Sequence, residues 1–385
     1  MPDNRRSFFK KSASIAAAAA SMGSVSAALA NSSNIKASDK ALFYNPDKKI
    51  EWPIADNPNA PKICVGMGMD ADDKTMLMSK QTGVDYVLMG GPQIPWTEEG
   101  LRTIMDRFKK NGLTVINMMI GGHPNTIYGR KGRDEEIKNI QESLRAAGAA
   151  GLPVVEYNFY ADRLMEGYYE KKARGGSSYT AFDYAPVKDL PAKPAIGVHT
   201  ADELWNSLTY FLKAVIPVAE KAGVRMALHP NDPPIPVSHG SAQIMATLKD
   251  WKRLISIVDS PSNGITFDCG VTREMGEDPV EVCKYFRERD RINHVHYRNV
   301  IVDQPYVKYA EVFLDEGQVN MFDIMKELVS SKYNHGLYPE HPRALDYDRE
   351  HPGGIKNQYP GGGGYAGETY NVGFAKAMML AVLSM

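Results

Sequence analysis

Eight short apolar runs, each set off from the next by a polar or amphipathic stretch, dominate the sequence after residue 60. They occupy 62–67, 84–89, 113–120, 153–159, 224–229, 264–269, 292–297 and 336–341. Each is short, and several are rich in Val and Ile, as strands buried on both faces are. Between most of them lie helical patterns with their own punctuation. The stretch 97–111 opens with Thr97-Glu98-Glu99 and closes at Asn111-Gly112. The stretches 134–149 and 201–222 end at Gly151 and Gly223, the stop signal of a left-handed C-terminal residue. Helical patterns at 278–288, 321–331 and 368–383 follow the later runs. This alternation predicts an α/β fold, a (β/α)8 TIM barrel forming a single domain over 57–385. Alternation alone also permits an open, doubly wound sheet. Two regions break the rhythm, 160–198 after the fourth run and 346–367 after the eighth. Long loops at strand C-termini cover a barrel's catalytic end, so both are expected to be lids.

Residues 1–30 stand apart from this pattern. Asn4-Arg5-Arg6-Ser7-Phe8-Phe9-Lys10 pairs two arginines with a polar residue, two apolar residues and a lysine. A weakly apolar, Ala-rich run follows over 13–27, and Ala28-Leu29-Ala30 offers a small-residue cleavage site. The order predicts a twin-arginine-type signal peptide, the twin-arginine export machinery as a partner, and a periplasmic or secreted product. No Cys follows the run to take a lipid, and no later stretch has 18 apolar residues, so no stable membrane anchor is expected after cleavage. Polar residues 31–56 read as a linker. Across 385 residues, 45 Lys and Arg nearly cancel 46 Asp and Glu, so there is no basic field and nucleic acid is not an expected partner. Cys64, Cys269 and Cys283 are an odd set without a CxxC pair, which argues against a disulfide framework. A homo-oligomer is compatible with all of this.

The chemistry-bearing residues fall at the ends of the last four runs. Val224-Arg-Met-Ala-Leu-His229 ends in His, Gly264-Ile-Thr-Phe-Asp-Cys269 in Cys, Ile292-Asn-His-Val-His296 in His, and Leu337-Tyr-Pro-Glu340-His341 in Glu and His. Barrel active sites form at that face. His229, Cys269, His296 and Glu340 are therefore candidate metal ligands. Imidazole, thiolate and carboxylate around one ion suit a zinc, iron or manganese ion better than calcium. Asp268 and Cys269 point to opposite sides, so only one of them can reach the ion. His294 shares a side with His296 and is expected to fill the barrel interior. Glu156 and Asn158 share a parity at the fourth run and face substrate or metal. Arg298 and Asn299 follow His296, where a guanidinium can pair with a substrate carboxylate. Tyr365 follows four glycines, on a loop able to deliver a phenol as acid or base.

These residues resemble the mannonate dehydratase family. The similarity is densest over 210–341 and includes Gly223-Val-Arg-Met-Ala-Leu-His-Pro-Asn-Asp-Pro-Pro234, Cys269, His296-Tyr-Arg-Asn299 and Tyr157-Asn158-Phe159. The resemblance implies a barrel lyase that dehydrates D-mannonate, or a closely related sugar acid, to 2-keto-3-deoxy-D-gluconate. The C2 proton is abstracted and the C3 hydroxyl lost, with one Mn²⁺ or Fe²⁺. It implies His229, Cys269, His296 and the strand 8 acid as ligands, and His341 and Tyr365 as the acid–base pair. The chain departs from the family in carrying Glu340 where the family has Asp, and in its lid after the fourth strand. Two other readings compete. One is a metal-dependent sugar isomerase or epimerase on the same barrel, favoured if Asp268 rather than Cys269 is the ligand. The other is an exported, non-catalytic sugar-acid-binding protein.

Overall fold

The computed structural model describes residues 57–351 and 359–385. The signal and linker expectations for 1–30 and 31–56 lie outside the described residues. Among the described residues fourteen strands are formed in chain order. Eight are parallel and close into a barrel: β1 (Lys62–Gly66), β2 (Tyr86–Gly90), β3 (Thr114–Ile120), β4 (Val154–Tyr157), β7 (Arg225–Leu228), β10 (Asn263–Asp268), β11 (Ile292–His296) and β14 (Gly336–Tyr338). They match the eight runs of the sequence, and the closed order rules out the open sheet.

The helices between them form where the punctuation places them. The helix Ala201–Ala222 has a reciprocal cap at its start, Thr200 with Glu203, and Gly223 in the left-handed conformation at its end. It buries Leu204, Leu208, Phe211, Leu212, Val215, Ile216 and Ala219, one helical stripe laid on the barrel. Each large side chain there contributes about 1.5–3 kcal/mol by leaving water. The helix Glu98–Lys110 is capped by Thr97, and Arg133–Ala150 ends at a left-handed Gly151.

The region after β4 is a lid of a particular kind. It holds a hairpin, β5 (Tyr168–Lys172) and β6 (Ser178–Asp183). That hairpin pairs with a second one after β11, β12 (Asn299–Gln304) and β13 (Lys308–Val312), giving an antiparallel sheet in the order β12-β13-β6-β5. The second hairpin is absent from the sequence-based expectation, although 299–312 alternates in character around Gln304-Pro305-Tyr306, the usual mark of paired strands. A small hairpin, β8 (Val237–Ser238) and β9 (Ser241–Ala242), follows β7. After β14 the chain forms a short helix, Asp346–Glu350, and the final helix, Tyr365–Leu383.

Register then gathers the strand ends. Asp268 pairs with His296, and His296 with Tyr338. Glu156 pairs with Ala227, so the C-terminal ends of β4, β7, β10, β11 and β14 converge on one mouth. Deeper in the barrel, His294 is fully buried under His296, as expected. Gly336 makes room for it: a Cβ there would lie 2.8 Å from His294 Nδ1.

Candidate active site

Two groups of ligand-type side chains meet at this mouth and share His296: Glu156, His229 and His296, and Asp268, His296 and Glu340. His229 Nδ1 lies 2.7 Å from the carbonyl of Pro230 and donates to it, which turns Nε2 inward as a lone pair. That Nε2 is 3.3 Å from His296 Nδ1. His296 Nδ1 is also 2.9 Å from Glu340 Oε2 and 3.8 Å from Asp268 Oδ2, and its Nε2 is 3.6 Å from Glu156 Oε1.

The electrostatics follow from burial and from these neighbours. Burial, then the charge of His296, pushes His229 down to about 4, so it is a neutral donor. Burial opposes charging of His296, yet Glu340, with Glu156 and Asp268 behind it, carries it up to about 9. Glu340 is held well below the usual carboxylate range, because His296 and His341 outweigh its burial. Burial, aided by Glu340, lifts Asp268 to about 7 against the pull of Arg298.

Cys269 is not brought to this cluster. It begins the helix Cys269–Glu274, is fully buried, and packs in the apolar core. Burial pushes its thiol well up, with Asp268 and Cys283 adding to the effect. Its neighbour Asp268 ends β10 with its carboxylate on the mouth side. The expectation for the sixth strand therefore moves from Cys269 to Asp268. The physical reason is where the strand ends: Asp268 is the last residue of β10, in register with His296, whereas Cys269 opens the helix and turns into the core.

Arg298 is not open to a substrate either. Its guanidinium is buried among five carboxylates, Asp232, Asp268, Glu274, Glu311 and Glu340, at 2.8–3.5 Å. Asn299 is structural: its amide donates to the carbonyls of Leu314 and Val319, and its oxygen accepts from Val300 and Val319. Asn158 is half-buried just past β4, its amide 3.5 Å from Met119 Sδ. His341 does lie at the mouth, with Nε2 3.5 Å from Glu340 Oε2. Tyr365 points elsewhere, donating to the carbonyl of Met78 at 3.2 Å. The phenol ring beside His341 is that of Tyr359, with ring centroids 4.7 Å apart.

The lid sheet and the loop after β7 add residues that reading the sequence missed. A third group joins Asp232, Glu311 and His341. Asp232 lies in the His229-Pro-Asn-Asp-Pro-Pro234 segment, so its place in that motif was the available signal. Its carboxylate accepts from Tyr168 at 2.9 Å and faces Arg163 at 3.3 Å. Arg163 keeps 28% of its side chain exposed, against 1% for Arg298. It is the guanidinium of this network within reach of a solute.

The donor set fits a divalent cation. Six carboxylates (Glu156, Asp232, Asp268, Glu274, Glu311 and Glu340) are buried here, against the guanidinium groups of Arg163, Arg298 and Arg343 and the charged imidazole of His296. Such a surplus of buried negative charge is costly unless a cation or protons offset it. Among the described residues His296 Nε2 has no hydrogen-bond partner, and Glu340 Oε1 has only the ion-pair contact of Arg298 Nε at 3.3 Å. Imidazole and carboxylate donors together suit a first-row divalent ion.

Comparison with known proteins agrees with this architecture. A family model described as D-mannonate dehydratase (UxuA) matches residues 197–359. The mannonate dehydratase of Streptococcus pneumoniae is 32% identical over an alignment of 316 positions that covers 74% of this chain and 84% of that protein. The one from Enterococcus faecalis is 29% identical, over 71% of this chain and 85% of its own length. The crystal structure of mannonate dehydratase from Streptococcus suis serotype 2 superposes with a TM-score of 0.73 at 26% identity, covering 83% of this chain and 94% of that one. D-psicose 3-epimerase from Clostridium cellulolyticum H10 shares the fold, with a TM-score of 0.52 at 10% identity.

Proposed function

The chain belongs to the mannonate dehydratase family of hydro-lyases, and from that premise we propose that it dehydrates D-mannonate, or a closely related sugar acid, to 2-keto-3-deoxy-D-gluconate with one divalent metal, Mn²⁺ or Fe²⁺. The observation that carries the reading is the cluster of Glu156, His229, Asp268, His296 and Glu340 with His341 beside it. These five side chains would hold the metal. When bound, the cation supplies positive charge that stabilises negative charge growing on a substrate carboxylate and its neighbouring hydroxyl.

The rest of the work falls to the chain's own groups. Neutral His229 offers a lone pair and charged Glu340 an anionic oxygen, which suit a cation once His296 gives up its proton. In the proposed reaction the C2–H bond breaks and its electron pair forms a C2=C3 bond. The C3–O bond breaks, the hydroxyl leaves as water after taking a proton, and the enol becomes the 2-keto acid. His341 is one proton carrier, since its Nε2 faces the cluster. Tyr359, whose ring lies against it at a 45° tilt, is the phenol placed to be the other. Arg163 is the group placed to pair with the substrate carboxylate.

The test is turnover by purified protein loaded separately with Mn²⁺, Fe²⁺ and Zn²⁺, on D-mannonate and a panel of hexonates and hexuronates, with 2-keto-3-deoxy acids detected. Metal-dependent keto-deoxy product from D-mannonate is expected. One observation favours a second reading, a sugar isomerase or epimerase: the sixth strand presents the carboxylate of Asp268 rather than a thiolate. Isomerised sugar without keto-deoxy acid would establish that reading instead.

We also propose that residues 1–30 direct export through the twin-arginine machinery. Replacing Arg5 and Arg6 by Lys should trap the protein in the cytoplasm of a competent host. Unchanged export would refute the assignment.

A further inference from the structure

We propose that Glu311 is a positioning residue: it holds His341 through Nδ1, so that Nε2 is the atom that exchanges the proton in the dehydration proposed above, on which this role rests.

Glu311 sits on β13, an inner strand of the lid sheet, paired with Val300 on one side and Thr180 on the other. Its side chain is buried. Oε2 accepts from His341 Nδ1 at 2.9 Å and from Arg343 Nη2 at 2.9 Å, and Oε1 accepts from Arg298 Nη1 at 2.8 Å. Arg298 Nη1 also lies 3.2 Å from His341 Nδ1. A guanidinium has no lone pair to offer, so it cannot accept an Nδ1 proton. Glu311 is the acceptor at that atom. With Nδ1–H committed, Nε2 is left to face Glu340 and the cluster.

The backbone beneath is held just as firmly. His341 has a φ of +43°, a conformation that non-glycine residues rarely adopt. Strain of this kind persists where surrounding bonds over-determine it, and it concentrates at functional sites. Here Asn371 donates to the carbonyls of Pro339 and Glu340, and Arg343 donates twice to the carbonyl of His341. The ring therefore has one orientation, set from below by the final helix and from the side by the lid sheet. A carboxylate that fixes a histidine's tautomer and orientation is a recurrent device for proton transfer.

Two measurements test the proposal. In the first, histidine-labelled protein loaded with Mg²⁺ is studied by long-range ¹H–¹⁵N spectra at pH 8, with His341 assigned by its loss in His341→Asn. A protonated Nδ1 and a bare Nε2 are expected, shifting to the other tautomer or a mixture in Glu311→Ala. A bare Nδ1 in the wild type, or an unchanged tautomer in Glu311→Ala, overturns the proposal whatever the substrate is. In the second, Glu311→Ala should lower kcat on D-mannonate about 100-fold or more, with KM within about threefold and metal content unchanged. Glu311→Gln, which keeps an acceptor oxygen, should recover about tenfold of that loss. Wild-type kcat in Glu311→Ala, or equal loss of kcat and bound metal in both variants, overturns the role. Absence of turnover in the wild type counts against the dehydration alone, and the tautomer then decides the orientation.

Discussion

Asp268 and Cys269 are consecutive, yet one carboxylate oxygen lies 3.8 Å from His296 Nδ1 while the thiol is packed into the apolar core. Metal binding should follow the first residue and ignore the second. Asp268→Asn is expected to weaken Mn²⁺ affinity by at least about 100-fold, the upper range for partners that merely support a ligand. Cys269→Ala should bind metal as the wild type does and lose only about 1 kcal/mol of stability to a small cavity. The Co²⁺-loaded protein should show no sulfur-to-cobalt charge-transfer band. Such a band, abolished by Cys269→Ala, would return the thiol to the ligand set.

The two tyrosines near the last helix should separate cleanly. Tyr359→Phe removes the hydroxyl of the ring beside His341 and is expected to lower kcat by about 100-fold or more. Tyr365→Phe removes a hydrogen bond to Met78 and should cost about 1 kcal/mol of stability with kcat nearly unchanged. Steady-state rates and denaturation midpoints on both variants decide it. The reverse ranking would mean that the lid rearranges to bring Tyr365 inward.

Arg163 should act in binding. Its guanidinium is partly exposed and lies over the Tyr359 ring, 5.4 Å from the centroid. Arg163→Lys is expected to raise KM about tenfold and change kcat less, since a lysine keeps the charge but not the planar fork. A shortened substrate lacking the carboxylate should not discriminate the two proteins. If it does, the side chain serves the fold of the lid.

Glu368 gives a stability signature away from the mouth. It is buried on the final helix, and burial raises its pKa from 4.5 to about 8. The folded protein thus holds a proton that the unfolded chain releases. The stability linked to this group is full below pH 4.5, falls between 4.5 and about 8, and is level above. Glu368→Gln stays neutral throughout. Its stability relative to wild type should improve by a few kcal/mol between pH 5 and pH 9, an order-of-magnitude figure from the linkage of pKa to free energy. Denaturant midpoints at both pH values measure the gap, and a constant gap rules the account out.

Much of this protein was determined by its sequence alone. The eight apolar runs became the eight barrel strands, because short Val- and Ile-rich segments between capped amphipathic helices bury well only in a covered parallel sheet. His229, His296, Glu340 and His341 reached the mouth because they end their runs, and strand ends in a closed barrel have one place to go. What only the tertiary structure decided is which neighbour faces inward and what comes from elsewhere in the chain. Only one of Asp268 and Cys269 reaches the mouth, and the end of β10 at Asp268, in register with His296, chose the carboxylate. Arg298 reads as a free cation in a linear chain, but folding surrounds it with acids from five other segments. Glu311 and Tyr359 carry no local mark. They arrive through an antiparallel sheet assembled from two separate insertions and through the segment just before the final helix. Local periodicity reports which side of an element is buried, and burial alone does not say which distant groups will share the space.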